Sequence, residues 1–242
     1  MNNRNYEWRQ RNERNYESRN RNYNNKPDYI NNLIKFNKKE LNFKDRFKAS
    51  IFFVDIVKDV LNDNNDHFDG KNLSMLFVGA KKYNIKYNDW KNNKSTIFGI
   101  LMSKIDSVNS QGISNILNSL SKMNIKWTDF NQHLQNKLIE SVEHNVDQFN
   151  PQNIANTLLA LYRLGLKWNY FNNHNDLQNN LIESVEHNVD QFNPQGIANT
   201  LLALYQLGLK WTNFNQHLQK NLIRSVEHNV DQFNPQNIAN TL

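Results

Sequence analysis

The sequence has no cysteine, which excludes disulfides, Cys-ligated zinc, iron–sulfur clusters and thiol catalysis. Seven glycines and four prolines in 242 residues are too few for an all-β fold with many tight turns. No apolar run approaches the roughly 18 residues that read as a membrane-spanning helix, so no membrane partner is expected. No charged segment leads into a short apolar stretch, so no secretory signal is read and a cytoplasmic location is expected. No phosphate-binding G-x-x-x-x-G-K-[ST], nucleophile G-x-S-x-G or zinc-protease H-E-x-x-H pattern occurs. Asparagine, by contrast, makes up roughly a fifth of the residues, far above ordinary usage. Twenty-nine Lys and Arg against 23 Asp and Glu give a net charge of +6, a modest lean towards an anionic partner.

The sequence repeats. NPQNIANTLLALYRLGLKW from Asn150 returns as NPQGIANTLLALYQLGLKW from Asn193, and begins again as NPQNIANTL from Asn234. The landmark isoleucines are Ile154, Ile197 and Ile238. Diverged copies place Ile113 and Leu73 at the landmark, and Pro27 stands three residues before Ile30, as Pro151 does before Ile154. Units therefore start near residues 27, 70, 110, 151, 194 and 235, at a period of 40–43 residues. The chain stops inside the last one at Leu242, which reads as a fragment or as an unfinished final helix.

Each unit reads as two helices. Helix A opens on Asn150 as N-cap and Pro151 at the first helical position, and closes near Gly165. Helix B is expected over roughly 134–148, with Leu134, Leu138, Val142 and Phe149 as its apolar stripe. Two extra residues at Asn175 and Asp176 fall between A and B, where a loop absorbs length. One hairpin cannot bury both apolar faces, but stacked hairpins can. The expected fold is an all-α solenoid over residues 27–242. Residues 1–26 repeat Arg-Asn-Tyr three times, show no helical apolar face and read as a disordered basic arm.

A helical wheel puts Ile154, Ala155, Leu158, Leu161 and Tyr162 on one arc as core. The opposite stripe is Gln152, Asn153, Asn156, Ala160, Arg163 and Lys167. In the next unit it is Gln195, Gly196, Asn199, Ala203, Gln206 and Lys210, and in the diverged one Gln111, Gly112, Asn115, Ser119, Lys122 and Lys126. No acidic residue occurs in 70–88, 110–127, 151–171 or 194–218, whereas helix B carries Glu140, Glu143 and Asp147 and their counterparts. A basic, amide-rich inner face with an acidic back suits a polyanion, with Lys and Arg holding phosphate and Asn and Gln reading base edges. The small residues Gly79, Ser119, Ala160 and Ala203 are expected to let a strand approach closely. The plainer alternative is that the asymmetry serves solubility and Asn156 bonds its neighbouring unit.

Other motifs carry less. His144 has ligand spacing to Glu140 and Asp147 but no second histidine four residues on, so it reads as solvated and no metal or cofactor is expected. Trp127, Trp168 and Trp211 recur at one position and read as core between units rather than as stacking platforms. A repeat copies every residue, whereas an active site needs one unique constellation, so no enzymatic activity is expected.

The unit NPQ[NG]IANTLLALY-[RQ]-LGLKW resembles the octotricopeptide repeat family, whose helix-A signature is P-[QE]-x-[LI]-A-N-x-L-[WL]-A-L-x-x-L-G. The likeness is strong from Pro151, Pro194 and Pro235 and weak at Ser110 and Gly70. The family's frequent RAP domain has no counterpart, and these units are longer than its common 38 residues. The resemblance implies an α-solenoid binding single-stranded RNA along helix A, at Asn153, Asn156 and Arg163 and at Gly196, Asn199 and Gln206. Two other readings stand beside it: a peptide- or protein-binding scaffold, and, as to location, a secreted effector of an intracellular bacterium or an organelle-imported protein.

Overall fold

The computed structural model of the protein describes residues 27–63 and 67–241. The expected basic arm, residues 1–26, lies outside them, as does Leu242. Among the described residues there are α-helices and short 3-10 turns and no strand. The α-helices are α1 (Asp28–Lys38), α2 (Arg46–Asn62), α3 (Gly70–Lys82), the single turn α4 (Tyr87–Trp90), α5 (Lys94–Lys104), α6 (Ser110–Lys122) and α7 (Gln132–Asn145). They continue as α8 (Pro151–Leu164), α9 (Asn175–Asn188), α10 (Pro194–Leu207), α11 (Gln216–Asn229) and α12 (Pro235–Thr241). Helices α1, α3, α6, α8, α10 and α12 are the A helices. Helices α2, α5, α7, α9 and α11 are the B helices, and the whole is an α-solenoid.

The capping chemistry is local. Asn109, Asn150 and Asn193 accept from the backbone N–H three residues on, of Gly112, Asn153 and Gly196, which starts α6, α8 and α10. Asn131 does the same for α7, so that helix starts before its apolar stripe, at Gln132. It also ends at Asn145, with residues 146–148 tightening into a 3-10 turn. Gly165 (φ 99°) and Gly208 (φ 109°) stop α8 and α10 in the left-handed conformation. Asn84 (φ 56°) and Asn124 (φ 63°) do the same job after α3 and α6, asparagine being the residue that tolerates this region best after glycine. The two extra residues of the fourth unit fall before α9, where Trp168–Asn173 is a six-residue 3-10 stretch in place of the three at Trp127–Asp129, and Asn175 and Asp176, expected in the loop, instead open α9.

Two layers result, and they differ. Each A helix packs along much of its length on the A helix before and after it. The B helices touch one another little. α7, α9 and α11 rest instead on the 3-10 turn that closes the preceding B helix. Dense packing in one layer and splayed packing in the other bends the stack with the A layer inside. One buried residue ties the layers together. The Nδ2 of Asn188 donates to Ser184 O of its own helix (2.8 Å) and to Phe149 O of the preceding unit (3.0 Å). Asn229 repeats this with Ser225 O and Phe192 O, and Asn145 with Ser141 O and, at 3.5 Å, Val108 O.

The core is continuous from Tyr29 to Leu222. At its far end Trp211, Ile223 and Val230 are 44%, 49% and 51% exposed, while their counterparts Trp127, Ile139 and Val146 are covered by the next unit. Each unit thus buries its outer face only against a neighbour, as one-dimensional stacking requires.

The staple yields a test. Asn188→Ala removes the donor to the Phe149 carbonyl inside the stack, a loss of about 1–3 kcal/mol. Urea unfolding of the variant should show that loss, with greater separation between the unfolding of the units before and after the break. A midpoint equal to that of the unmodified protein would refute the staple.

Candidate nucleic-acid interface

The inner face of the A layer carries a cleft of about 600 Å³ lined by four successive units. Lys81 comes from α3, Asn115 and Asn118 from α6, Asn156 from α8, and Gly196 and Asn199 from α10. Asn115, Asn156 and Asn199 occupy one position in three units and are half-buried in line. The side-chain amides of Asn115 and Asn156 make no hydrogen bond within the described protein. Asn199 Oδ1 accepts from Asn240 Nδ2 at 3.3 Å. The alternative that Asn156 bonds its neighbouring unit is therefore not what the geometry shows, although the last pair in the series does so.

A second recess, of about 530 Å³, lies at the C-terminal ends of α6 and α8. Lys86, Ser121, Lys122, Asn124, Lys126 and Arg163 line it, with no acidic side chain among them. Burial, then the nearby charges of Arg163 and Lys86, hold the Lys122 ammonium below its usual pKa. Burial lowers Arg163 too, partly opposed by Tyr162. Lys81 is lowered by burial and by the charges of Lys82 and Lys122. The cations of the inner face thus repel one another, and none of the ion pairs among the described residues involves them.

The remaining predicted positions divide. Lys167, Gln206 and Lys210 lie outside both cavities. Lys167 Nζ donates to Gln206 O at 2.8 Å, and Lys86 Nζ to Lys122 O at the same distance, so each also caps the A helix of the following unit. Asn153 is a correction. It is 5% exposed, and its Nδ2 donates to Ser110 O of the preceding unit at 3.1 Å, so its amide is spent inside the stack. Gly196, its counterpart, has no side chain to make that bond and is half-buried on the cleft.

The small residues are a second correction. Ser119, Ala160 and Ala203 are at most 1% exposed, and a Cβ at Gly79 would lie 2.4 Å from the Phe36 ring. Their size lets A helices approach one another, not a ligand. Gly112 is buried as well. The wheel missed this because helix A is covered on three sides, by two A neighbours and its own B helix.

Lys81 and Lys86 were not on the expected stripes. The signal for them was the acid-free run over 70–88, which carries Lys71, Lys81, Lys82 and Lys86. Among the described residues no group of three His, Asp or Glu is placed to hold a metal ion, and no helix is long and apolar enough to cross a membrane.

Residues 123–158, 164–201 and 210–242 match the family model described as a protein of unknown function, DUF1601. These stretches fall where the units are most alike and cover less than half of the chain, so the chain is similar to that family there. No curated protein matches the sequence.

Two tests follow. Lys122 binds more protons unfolded than folded between its lowered folded pKa and 10.5, so its contribution to stability rises with pH through that window and is unfavourable below it. Lys122→Gln is expected to raise the melting temperature at pH 7 in low salt, and to do so less in about 1 M salt, where the Debye length is about 3 Å. A lower melting temperature in low salt would show that Lys122 is structurally required. Separately, Gly196→Asn is expected to install the bond that Asn153 makes and to stabilise by about 1 kcal/mol in urea unfolding. Destabilisation would mean that Phe192, whose ring would lie 3.1 Å from the new Cβ, does not give way.

Proposed function

We propose that the protein is a non-enzymatic helical-repeat scaffold that binds single-stranded RNA along the inner face of its A helices, in a post-transcriptional role. One observation carries this reading: amides of Asn115 and Asn156 without partners line a cleft spanning four units, beside cations that no acid neutralises. An asparagine amide presents donor and acceptor together and pairs with a base edge at both. Lysine and arginine meet phosphate without regard to sequence. On the B layer Glu140, Glu183 and Asp190 are exposed acids, interspersed with cations such as Lys137, Lys220 and Arg224, whereas the A helices from α3 to α12 carry no acid. The resemblance to octotricopeptide repeats supports the same ligand class.

The test is selection from a randomised single-stranded RNA pool with the full chain, Asn156→Ala and, as a control on the outer layer, Glu140→Gln. The full chain is expected to enrich RNA, with affinity falling log-linearly in salt. Asn156→Ala is expected to lose about 1–3 kcal/mol and to relax preference at one nucleotide. Glu140→Gln should match the full chain. Enrichment of nothing at any salt would discard RNA and leave the peptide-binding scaffold as the account of the cleft.

A further inference from the structure

We infer that the recess formed by Lys86, Lys122, Lys126 and Arg163 is a phosphate site and that, if the RNA reading above holds, it seats the backbone while the asparagine cleft takes the bases.

The recess collects four cations from three units. Lys86 follows α3, Lys122 and Lys126 belong to the third unit, and Arg163 comes from α8. The carboxylates nearest in sequence are occupied. Asp89 accepts from the Lys86 backbone N–H at 2.7 Å and pairs with Arg46 at 2.8 Å. Asp129 accepts from the Lys126 backbone N–H at 2.8 Å. The side chains of Lys122, Lys126 and Arg163 make no hydrogen bond within the described protein.

Helix C-termini oppose an anion, each with about half a negative charge. Lys86 Nζ already bonds the Lys122 carbonyl at the end of α6, which offsets part of that, and four full positive charges exceed the rest. The left-handed Asn124 turns the chain back so that Lys126 lines the same recess as Lys122. Arg163 adds a planar fork that meets two oxygens of one phosphate at once. Lys81, which lines the asparagine cleft, lies close enough to Lys122 for their charges to interact, so the two surfaces are adjacent. The sequence retains like charges that destabilise one another, which a solvated surface does not require and an anion site does.

The experiment uses the full chain and Lys122→Gln/Lys126→Gln, with melting temperature and circular dichroism as folding controls. Removing repulsion is expected to leave the variant folded. Inorganic pyrophosphate is titrated while the Arg163 side-chain Nε–H resonance is followed by NMR, and RNA affinity is measured against salt. A phosphate site predicts movement of the Arg163 resonance, at least tenfold weaker pyrophosphate binding by the variant, and a log–log salt slope for RNA shallower by about 1.4, since two phosphate contacts are lost at about 0.7 each. RNA binding with an unchanged salt slope in the variant, and no movement of Arg163, overturns the phosphate site and leaves the RNA reading standing. Movement of Arg163 by pyrophosphate without RNA binding at any salt supports the site and overturns the RNA reading. An equal response to citrate overturns phosphate as the ligand class.

Discussion

From the third unit on, the stack depends on a buried asparagine whose two amide protons are both used. Asn145, Asn188 and Asn229 each donate one to the carbonyl four residues back in their own helix and one to a carbonyl of the unit before. Serine has one proton to give, and glutamine would need a longer, looser reach. The accepting carbonyls belong to Val108, Phe149 and Phe192, and the residue after each is the asparagine that caps the next A helix. The bond therefore fixes where that helix begins relative to the B helix behind it. Leaving such a buried group unpaired would cost about 1–3 kcal/mol per unit, so the geometry repeats.

Regular spacing turns local chemistry into a surface. The A helices carry Gly79, Ser119, Ala160 and Ala203 at their mutual contacts and so lie close, while the B helices meet through short turns. The layer with the shorter spacing becomes the inner one, and whatever recurs on its open stripe is brought into line. That stripe holds free amides at Asn115 and Asn156 and cations towards the helix ends. Most of the acids stand on the other layer, and Asp89 and Asp129, in the turns beside Lys86 and Lys126, accept from backbone N–H groups there. Mutual repulsion among Lys81, Lys122 and Arg163 works against stability, and an anionic ligand is the charge that would relieve it.

Much of this was legible in the sequence. The period, the Asn-Pro starts, the Gly165 and Gly208 stops and the two-helix unit all rest on local chemistry that each unit repeats. The line of Asn115, Asn156 and Asn199 was legible for the same reason. Asn153 was misplaced because a helical wheel knows one core direction, and a helix inside a stack has three. The cations of α3 were missed because their unit has diverged, so its stripe could not be aligned residue by residue. The grouping of Lys86, Lys122, Lys126 and Arg163 was not legible at all. It joins three units through the superhelical offset between A helices, which no single unit encodes.

Asparagine abundance by itself says little about binding, because the same side chain serves three ends here. Asn109, Asn150 and Asn193 spend their oxygen on a helix start, and Asn153, Asn188 and Asn229 spend their nitrogen on the unit before. What sets Asn115 and Asn156 apart is the combination of one repeat position on the inner cleft with an amide that no other described residue takes, a state that Asn118 shares beside them. Asn199 marks the edge of that state, since α12 arrives with Asn240 to take its oxygen. An open amide on the inner cleft, rather than composition, is thus the property that locates the candidate reading surface. It also predicts where the surface stops: an asparagine at this position is available to a ligand only while the corresponding residue of the next A helix leaves it alone.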